Sequence, residues 1–341
     1  MTTQRIEWAD TMKAGSIMAV VLYHTGIQAD VKSMAYLLCL PAFFFVSGLF
    51  AKPDAGWQTV FRRSLRLLWP YLIFGLLSWL AWFCIGRRYG SDADVATPWW
   101  APLWGMLTGR SENLIQNGPL WFLPCLMVVE WLYGAVSRCK GWWLWACTLA
   151  VSAIGFVLGQ VAELHLPWSI DTAMTLLPLY VLGHRTRRCW DEWPARHTLP
   201  QCILAGCVAC LGVGLGWYFN PGIKLSEGRY GNPLLFYPGE VLVVAFWYLA
   251  ALGIGKVPYL NRAMAWLGRQ TLWILCLHLP LFGAIKGALL LAGVPLSFYT
   301  TNAGSLLLWA GSLAISVPLI VLINRLTNVS GARTPRVSQD A

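Results

Sequence analysis

Two histidines, His24 and His278, lie inside long apolar stretches of the sequence. An ionisable side chain in such a stretch is costly, so it usually faces the interior of a helix bundle and marks a functional site. A neutral imidazole is also suited to remove a proton from a hydroxyl or thiol during group transfer. The alternative is that each histidine only makes a hydrogen bond between two helices. Their spacing leaves both interpretations open.

Basic residues stand at the start of the first and third apolar stretches. Lys13 precedes His24 by eleven residues, which is about 16 Å along one helix, so the two side chains lie at different depths. Arg63 and Arg66 are one helical turn apart and share a side. Paired guanidinium groups suit phosphate, which indicates a nucleotide-like donor. Considered alone, the same arginines are more simply explained as contacts to lipid headgroups.

Other charges inside the apolar stretches favour a structural interpretation. Asp171, Glu240 and Lys286 all lie toward the outer ends of their stretches and could meet, either as a structural pair or as a site for a polar acceptor, and we favour the structural interpretation. Glu130 lies deeper and is a candidate for the carboxylate that orients a histidine. The ten cysteines are scattered through apolar runs, so we expect neither a disulfide framework nor a bound metal.

The elements that position these residues are membrane-spanning helices. The chain is 57% hydrophobic and 12% charged, against about 25% charged in soluble domains. A span needs about 20 mostly apolar residues. Ten segments satisfy this requirement, and the fold class is therefore an all-α polytopic membrane protein of about ten transmembrane helices. The segments are 13–27, 33–51, 65–86, 118–136, 142–161, 167–183, 199–219, 234–255, 271–294 and 303–323.

The distribution of Lys and Arg predicts the orientation of these spans. Short loops rich in these residues stay in the cytoplasm. With the N-terminus inside, 18 of the 25 Lys and Arg residues are cytoplasmic. We therefore expect both termini in the cytoplasm, a transmembrane domain at 1–326 and a short polar cytoplasmic tail at 327–341. Topology also explains the net charge of +10 without a nucleic-acid partner.

The longest predicted loop, 87–117, lies on the outer side in this topology. It carries Trp99, Trp100 and Trp104, and indole rings favour the headgroup layer. We interpret the loop as a re-entrant or interfacial cover.

Five motifs, taken in order, carry a resemblance to a known family. They run over nearly the whole chain, and their order is more specific than any one of them. The chain resembles the acyltransferase 3 family of bacterial membrane acyltransferases. The motifs are Asp10-Thr-Met-Lys13 followed by ten residues and His24, Pro41-Ala-Phe-Phe-Phe-Val-Ser47-Gly48, Arg63-x-x-Arg66 with Pro70-Tyr71, Gly118-Pro-Leu-Trp121 and Trp273-Ile-Leu-Cys-Leu-His278.

The resemblance implies transfer of an acyl group, commonly acetyl and sometimes succinyl, from acyl-CoA to a hydroxyl acceptor. The acceptor is a polysaccharide, glycolipid or similar molecule outside the cytoplasm, and the location is the bacterial inner membrane. Acyl-CoA is then a substrate, with no tightly bound cofactor. The implied residues are His24 and His278 for catalysis, Lys13, Arg63 and Arg66 for the donor, and Asp10, Ser47, Trp121 and Glu130 in support.

One position departs from the family pattern, because Lys13 stands where the family usually has arginine. Lysine keeps the positive charge but lacks the planar fork that binds phosphate or carboxylate through two hydrogen bonds. The departure bears directly on the predicted donor site.

Two other classes of function were weighed against acyl transfer. Buried histidines and charges also suit a transporter or flippase for a glycan or lipid-linked sugar, with discontinuous helices at Pro41, Pro124 and Pro178. The two halves of the sequence show no evident symmetry of the kind that many transporters have. A non-catalytic membrane scaffold or sensor leaves the ordered motifs unexplained.

Overall fold

The structure is a computed structural model that describes residues 6–52, 56–89, 97–196 and 198–331. The described residues form helices and no β-strand. One isolated antiparallel β-bridge joins Lys224 and Arg229. The helices are α1 (Glu7–Tyr23), α2 (Ala29–Cys39), α3 (Pro41–Leu49), α4 (Trp57–Ala81), α5 (Arg87–Tyr89), α6 (Ala101–Thr108), α7 (Phe122–Val136), α8 (Trp142–Phe156), α9 (Ile170–Arg196), α10 (Leu199–Phe219), α11 (Pro233–Gly255), α12 (Pro258–Arg269), α13 (Thr271–Leu291) and α14 (Asn302–Gly331).

The predicted all-α membrane class is confirmed. Within the described residues, eight helical segments are long and apolar enough to cross a membrane. Two further predicted spans correspond to α1, which has 17 residues, and to α9. The count of ten and the side of each terminus stay predictions. The final helix continues to Gly331, beyond the predicted domain boundary at 326, and residues 332–341 of the predicted tail lie outside the described residues.

Helix α1 lies near the centre of the bundle, where it packs against α2, α11, α12 and α13. Most of its side chains from Ala9 to Val21 are buried. Close helix approach is possible because small residues stand at the crossings. At Gly268 of α12, for example, any added Cβ would collide with the backbone carbonyl of Asp10. This crossing fixes the start of α1 against α12.

The second predicted span is broken into two helices, since α2 ends at Cys39 and α3 begins at Pro41. Proline is tolerated at the first position of a helix because the backbone N–H there has no partner within the helix. The other two predicted discontinuities were wrong, because α7 and α9 run through Pro124 and Pro178 without interruption. Pro124 is in the first turn of α7, where proline is tolerated.

Two helices longer than one turn were not predicted from the sequence. The amphipathic helix α12 occupies what was interpreted as a loop, because its charged side masks its apolar side in a search for long apolar runs. Helix α6 lies in the long loop and is held by a hydrogen bond from Tyr71 Oη to the carbonyl of Met106, 2.6 Å. The three loop tryptophans are each more than half exposed.

Candidate active site

Lys13, in the N-terminal half of α1, and His24, at its C-terminal cap, share one face of the helix, and a cavity opens beside each of them. The cavity at Lys13, the basic cavity, has a volume of about 840 Å³. It is lined by six cationic side chains and one carboxylate, that of Asp10. The cations are Lys13, Lys52, Arg63, Arg66, Arg187 and Arg269. This excess of positive charge suits a ligand with several phosphates.

Asp10 organises one wall of the basic cavity. Its carboxylate lies 2.8 Å from Lys13 Nζ and 4.0 Å from a guanidinium nitrogen of Arg269. The carboxylate thus holds two cations from different helices, α1 and α12, at the cavity surface. The supporting role predicted for Asp10 therefore corresponds to positioning Lys13 and Arg269 at the basic cavity.

The two predicted arginines of α4 differ in their surroundings. Arg63 lies 3.6 Å from Glu130 and donates to the carbonyl of Phe50 at 3.4 Å. Glu130 therefore pairs with this arginine, contrary to the expectation that it orients a histidine. Arg66 has no ion pair or hydrogen bond with any described residue, and its charge is the more available to a ligand.

Arg187 and Arg269 were missed as candidates by the sequence reasoning. Arg187 follows the predicted sixth span, where it donates to the carbonyl of Leu49 and lines the basic cavity. Arg269 ends α12, the helix that was not predicted. The only sequence signal for either residue was its position on the same side of the predicted topology as Arg66.

His24 and His278 come together in the bundle, with ring centroids 5.1 Å apart. His24 Nδ1 is 2.8 Å from the carbonyl of Val20, and His278 Nδ1 is 3.0 Å from that of Ile274. A carbonyl only accepts, so each Nδ1 carries the proton of the neutral ring. This tautomer leaves Nε2 as the basic nitrogen of both histidines. Nε2 of His278 is buried with no hydrogen-bond partner among the described residues.

His24 also lines a second cavity of about 300 Å³, the His24 cavity. Trp121, Tyr36 and Leu279 are among its walls, together with Lys32 and Glu227. The predicted supporting residue Trp121 thus shares a cavity with the predicted catalytic histidine. Ser47 is half-buried in α3 and lines neither cavity.

Asn117 fixes the helix that carries His278. Pro280 interrupts the hydrogen-bond pattern of α13, because it has no N–H to donate to the carbonyl of Cys276. Asn117 Nδ2 donates to that carbonyl at 3.1 Å, and to Ser78 Oγ at 3.0 Å. Asn117 is fully buried and was not singled out in the sequence, where it only precedes the Gly118 motif. It ties α13 to α4 beside the histidine pair.

The expected cluster of Asp171, Glu240 and Lys286 does not form. Asp171 accepts from the backbone of Leu166 and lies 3.8 Å from His165. Lys286 lies over the ring of Tyr299, and one oxygen of the buried Glu240 has no hydrogen-bond partner among the described residues. In the described part of the chain, no group of three His, Cys, Asp or Glu side chains is arranged to hold a metal; the expected absence of a metal stays a prediction.

Comparison with family models gives a match over residues 6–325 to the acyltransferase 3 model, described as an acyltransferase domain. The chain belongs to the acyltransferase 3 family. Both cavities and the histidine pair lie within the matched region. The family and the apolar helices together make this a multi-pass membrane acyltransferase. No curated protein and no solved structure gives a significant match.

Proposed function

We propose that this acyltransferase 3 protein moves an acetyl or related acyl group from cytoplasmic acyl-CoA to a hydroxyl of an extracytoplasmic carbohydrate or similar acceptor. The observation that carries the proposal is the pair of cavities along α1, one of them lined by His24, whose ring packs against that of the buried His278. The proposed location is the bacterial inner membrane, with the basic cavity on the cytoplasmic side.

The donor side of the proposal rests on the charge of the basic cavity. Coenzyme A carries several phosphate charges, and guanidinium groups bind phosphate through paired hydrogen bonds. Arg66 has no partner among the described residues and is the principal phosphate ligand in this proposal. Arg63, Lys13, Arg187 and Arg269 add positive charge around it. Acyl-CoA acts as a substrate that enters and leaves, so no tightly bound cofactor is involved.

The chemistry follows from the tautomers of the two histidines. Nε2 of His24 takes the proton from the acceptor hydroxyl, and the oxygen attacks the thioester carbonyl carbon. The carbon–sulfur bond breaks, and the coenzyme A thiolate takes up the proton that the imidazolium releases. His278 lies against His24 and positions it or shares this proton. An acyl-histidine intermediate is the alternative route, in which the imidazole itself attacks first.

The experiment is acyl transfer by the full chain, purified in detergent and reconstituted in liposomes. Acetyl-CoA labelled in the acetyl group is supplied with candidate oligosaccharides, and label is followed on sugar and on protein. Label on sugar supports transfer, and label held on the protein before acceptor is added supports the acyl-histidine route. Uptake of sugar without consumption of acetyl-CoA would instead indicate the transporter or flippase.

A further inference from the structure

A second hollow adjoins the His24 cavity on the same side of the bundle. It has a volume of about 240 Å³, and we call it the side groove. Tyr23, Lys32 and Tyr36 line both the side groove and the His24 cavity. The two hollows are therefore neighbours that share these three side chains, which an extended ligand can contact from either hollow.

Aromatic side chains form much of the side groove. The rings of Tyr23 and Tyr36 pack together with centroids 4.6 Å apart, and Trp217 forms another wall. Trp217 Nε1 donates to Ser33 Oγ at 2.7 Å, and Tyr36 Oη accepts from the backbone N–H of Ser226 at 3.0 Å. These hydrogen bonds hold the rings in place. Rigid aromatic faces with polar edges suit a ligand that has both apolar faces and hydroxyl groups, as a sugar ring has.

Of the basic side chains around the groove, some form ion pairs with a carboxylate and one does not. Lys224 lies 3.1 Å from Glu227, and Arg229 lies 3.5 Å from the same carboxylate. Lys32 has no carboxylate within ion-pair distance among the described residues, and its ammonium instead lies over the Tyr23 ring, 5.4 Å from the centroid. Lys32 therefore places one positive charge where the two hollows adjoin, and no described carboxylate neutralises it.

This charge lies close to the proposed catalytic histidine. The Tyr23 ring centroid is 4.8 Å from that of His24 and 5.4 Å from Lys32 Nζ, so the ammonium is no more than about 10 Å from the imidazole. A short saccharide spans such a distance. One of its units can place a hydroxyl at His24 while a neighbouring group reaches Lys32.

We propose that the acceptor is an acidic saccharide, whose anionic group binds Lys32 while its sugar rings lie on Tyr23, Tyr36 and Trp217. This inference rests on the proposed function, since it names the acceptor class for the same histidine. A sugar carboxylate and a sugar phosphate share the required chemistry, namely one anion beside a polyhydroxylated ring.

The test compares three short oligosaccharides of equal length with the reconstituted full chain. One consists of galacturonate residues, the second is its carboxyl-reduced counterpart, and the third carries phosphate in place of the carboxylates. We expect kcat/KM for acetyl transfer to be at least tenfold higher for an acidic oligosaccharide than for the reduced one. The better of the two acidic probes identifies the anion. Equal transfer to all three overturns the inference and leaves the proposed function standing.

Variants assign the preference to Lys32. Lys32→Gln should bring the acidic-to-neutral ratio close to one, Lys32→Glu should invert it, and Lys32→Arg should restore it. Arg88→Gln is the matched control, because it removes an exposed cation of the same predicted side that lines neither hollow. An unchanged ratio in Lys32→Gln, or an equal loss in Arg88→Gln, contradicts the assignment.

Binding to the His24→Ala protein separates this inference from the proposed function. Calorimetric titration of the three oligosaccharides needs no turnover. If the wild-type protein acylates neither these probes nor the candidate oligosaccharides of the transfer assay, the proposed function fails. The inference is then supported by tighter binding of an acidic oligosaccharide that Lys32→Gln abolishes, and is overturned by equal binding of all three.

Discussion

The two cavities beside α1 differ in the charge and shape of their walls. The basic cavity is wide and has six cations around one carboxylate, whereas the His24 cavity is smaller and largely aromatic and aliphatic. Under the proposed function, the difference indicates how each ligand is selected: the charge of the basic cavity selects a phosphate-rich donor, whereas fixed ring surfaces together with the charge of Lys32 select the acceptor.

The largest expected effect is at His24, which lines the smaller cavity. His24→Ala should reduce kcat for acetyl transfer by about 10²- to 10⁴-fold, the range that a general base contributes. The donor KM should change little, because His24 does not line the basic cavity. Initial rates with labelled acetyl-CoA measure both constants. His165→Gln, at a histidine that lines neither cavity, is the control; full activity in a folded, inserted His24→Ala protein would refute the catalytic role.

The basic cavity is tested next, through the arginine that has no partner among the described residues. Arg66→Ala should raise the KM for acetyl-CoA by about 10- to 100-fold, because removal of a charge-assisted contact costs about 1.5–3 kcal/mol, and kcat should fall much less. The effect should shrink at high salt.

Arg62 provides a matched control for this prediction. It lies one residue before Arg63 on the exposed surface of α4 and does not line the basic cavity. Arg62→Ala should leave the donor KM within twofold. Equal KM changes in the two variants would mean that the arginines act through lipid headgroups, the simpler explanation suggested by the sequence.

A third prediction concerns the link between Asn117 and α13. Asn117→Leu leaves the carbonyl of Cys276 without a donor and should lower stability by about 1–3 kcal/mol. It should also reduce kcat several-fold without a change in the donor KM, since His278 loses its support. Thermal unfolding in detergent and acetyl-transfer rates measure the two effects.

Pro280→Ala makes this prediction specific. It restores the backbone N–H that can donate to the Cys276 carbonyl, so the double variant should recover part of both losses. Additive losses from the two substitutions would show that Asn117 acts through its packing or through Ser78, and not through the carbonyl that proline leaves free.

The sequence was sufficient to predict the helices that contain a long apolar run, because the membrane imposes a length and a composition that are visible in a local stretch of sequence. It also predicted His24, His278 and Arg66 as site candidates, since an ionisable side chain in or beside an apolar run is conspicuous; the structure brings the two histidines together and places Arg66 at the basic cavity, and their roles stay predictions. It did not predict α12, Arg269 or the role of Asn117. These depend on helices meeting in space: the Asp10 to Arg269 contact joins residues 259 positions apart, and the carbonyl that Asn117 binds is exposed by a proline 163 positions later.

The smallest expected effect is at Lys13, where the chain departs from its family. The Lys13 ammonium is occupied by Asp10 at 2.8 Å, so its single charge centre has little left for a phosphate. Lys13→Arg keeps the contact to Asp10 and adds a second pair of donors, and we expect the KM for acetyl-CoA to fall two- to threefold, about 0.4–0.7 kcal/mol. Lys52→Arg adds the same fork elsewhere in the basic cavity and should give a smaller change. If Lys13→Arg instead raises KM, the Asp10 wall is shaped for lysine, and the departure marks a donor whose phosphates are placed differently from those of the family's usual substrate.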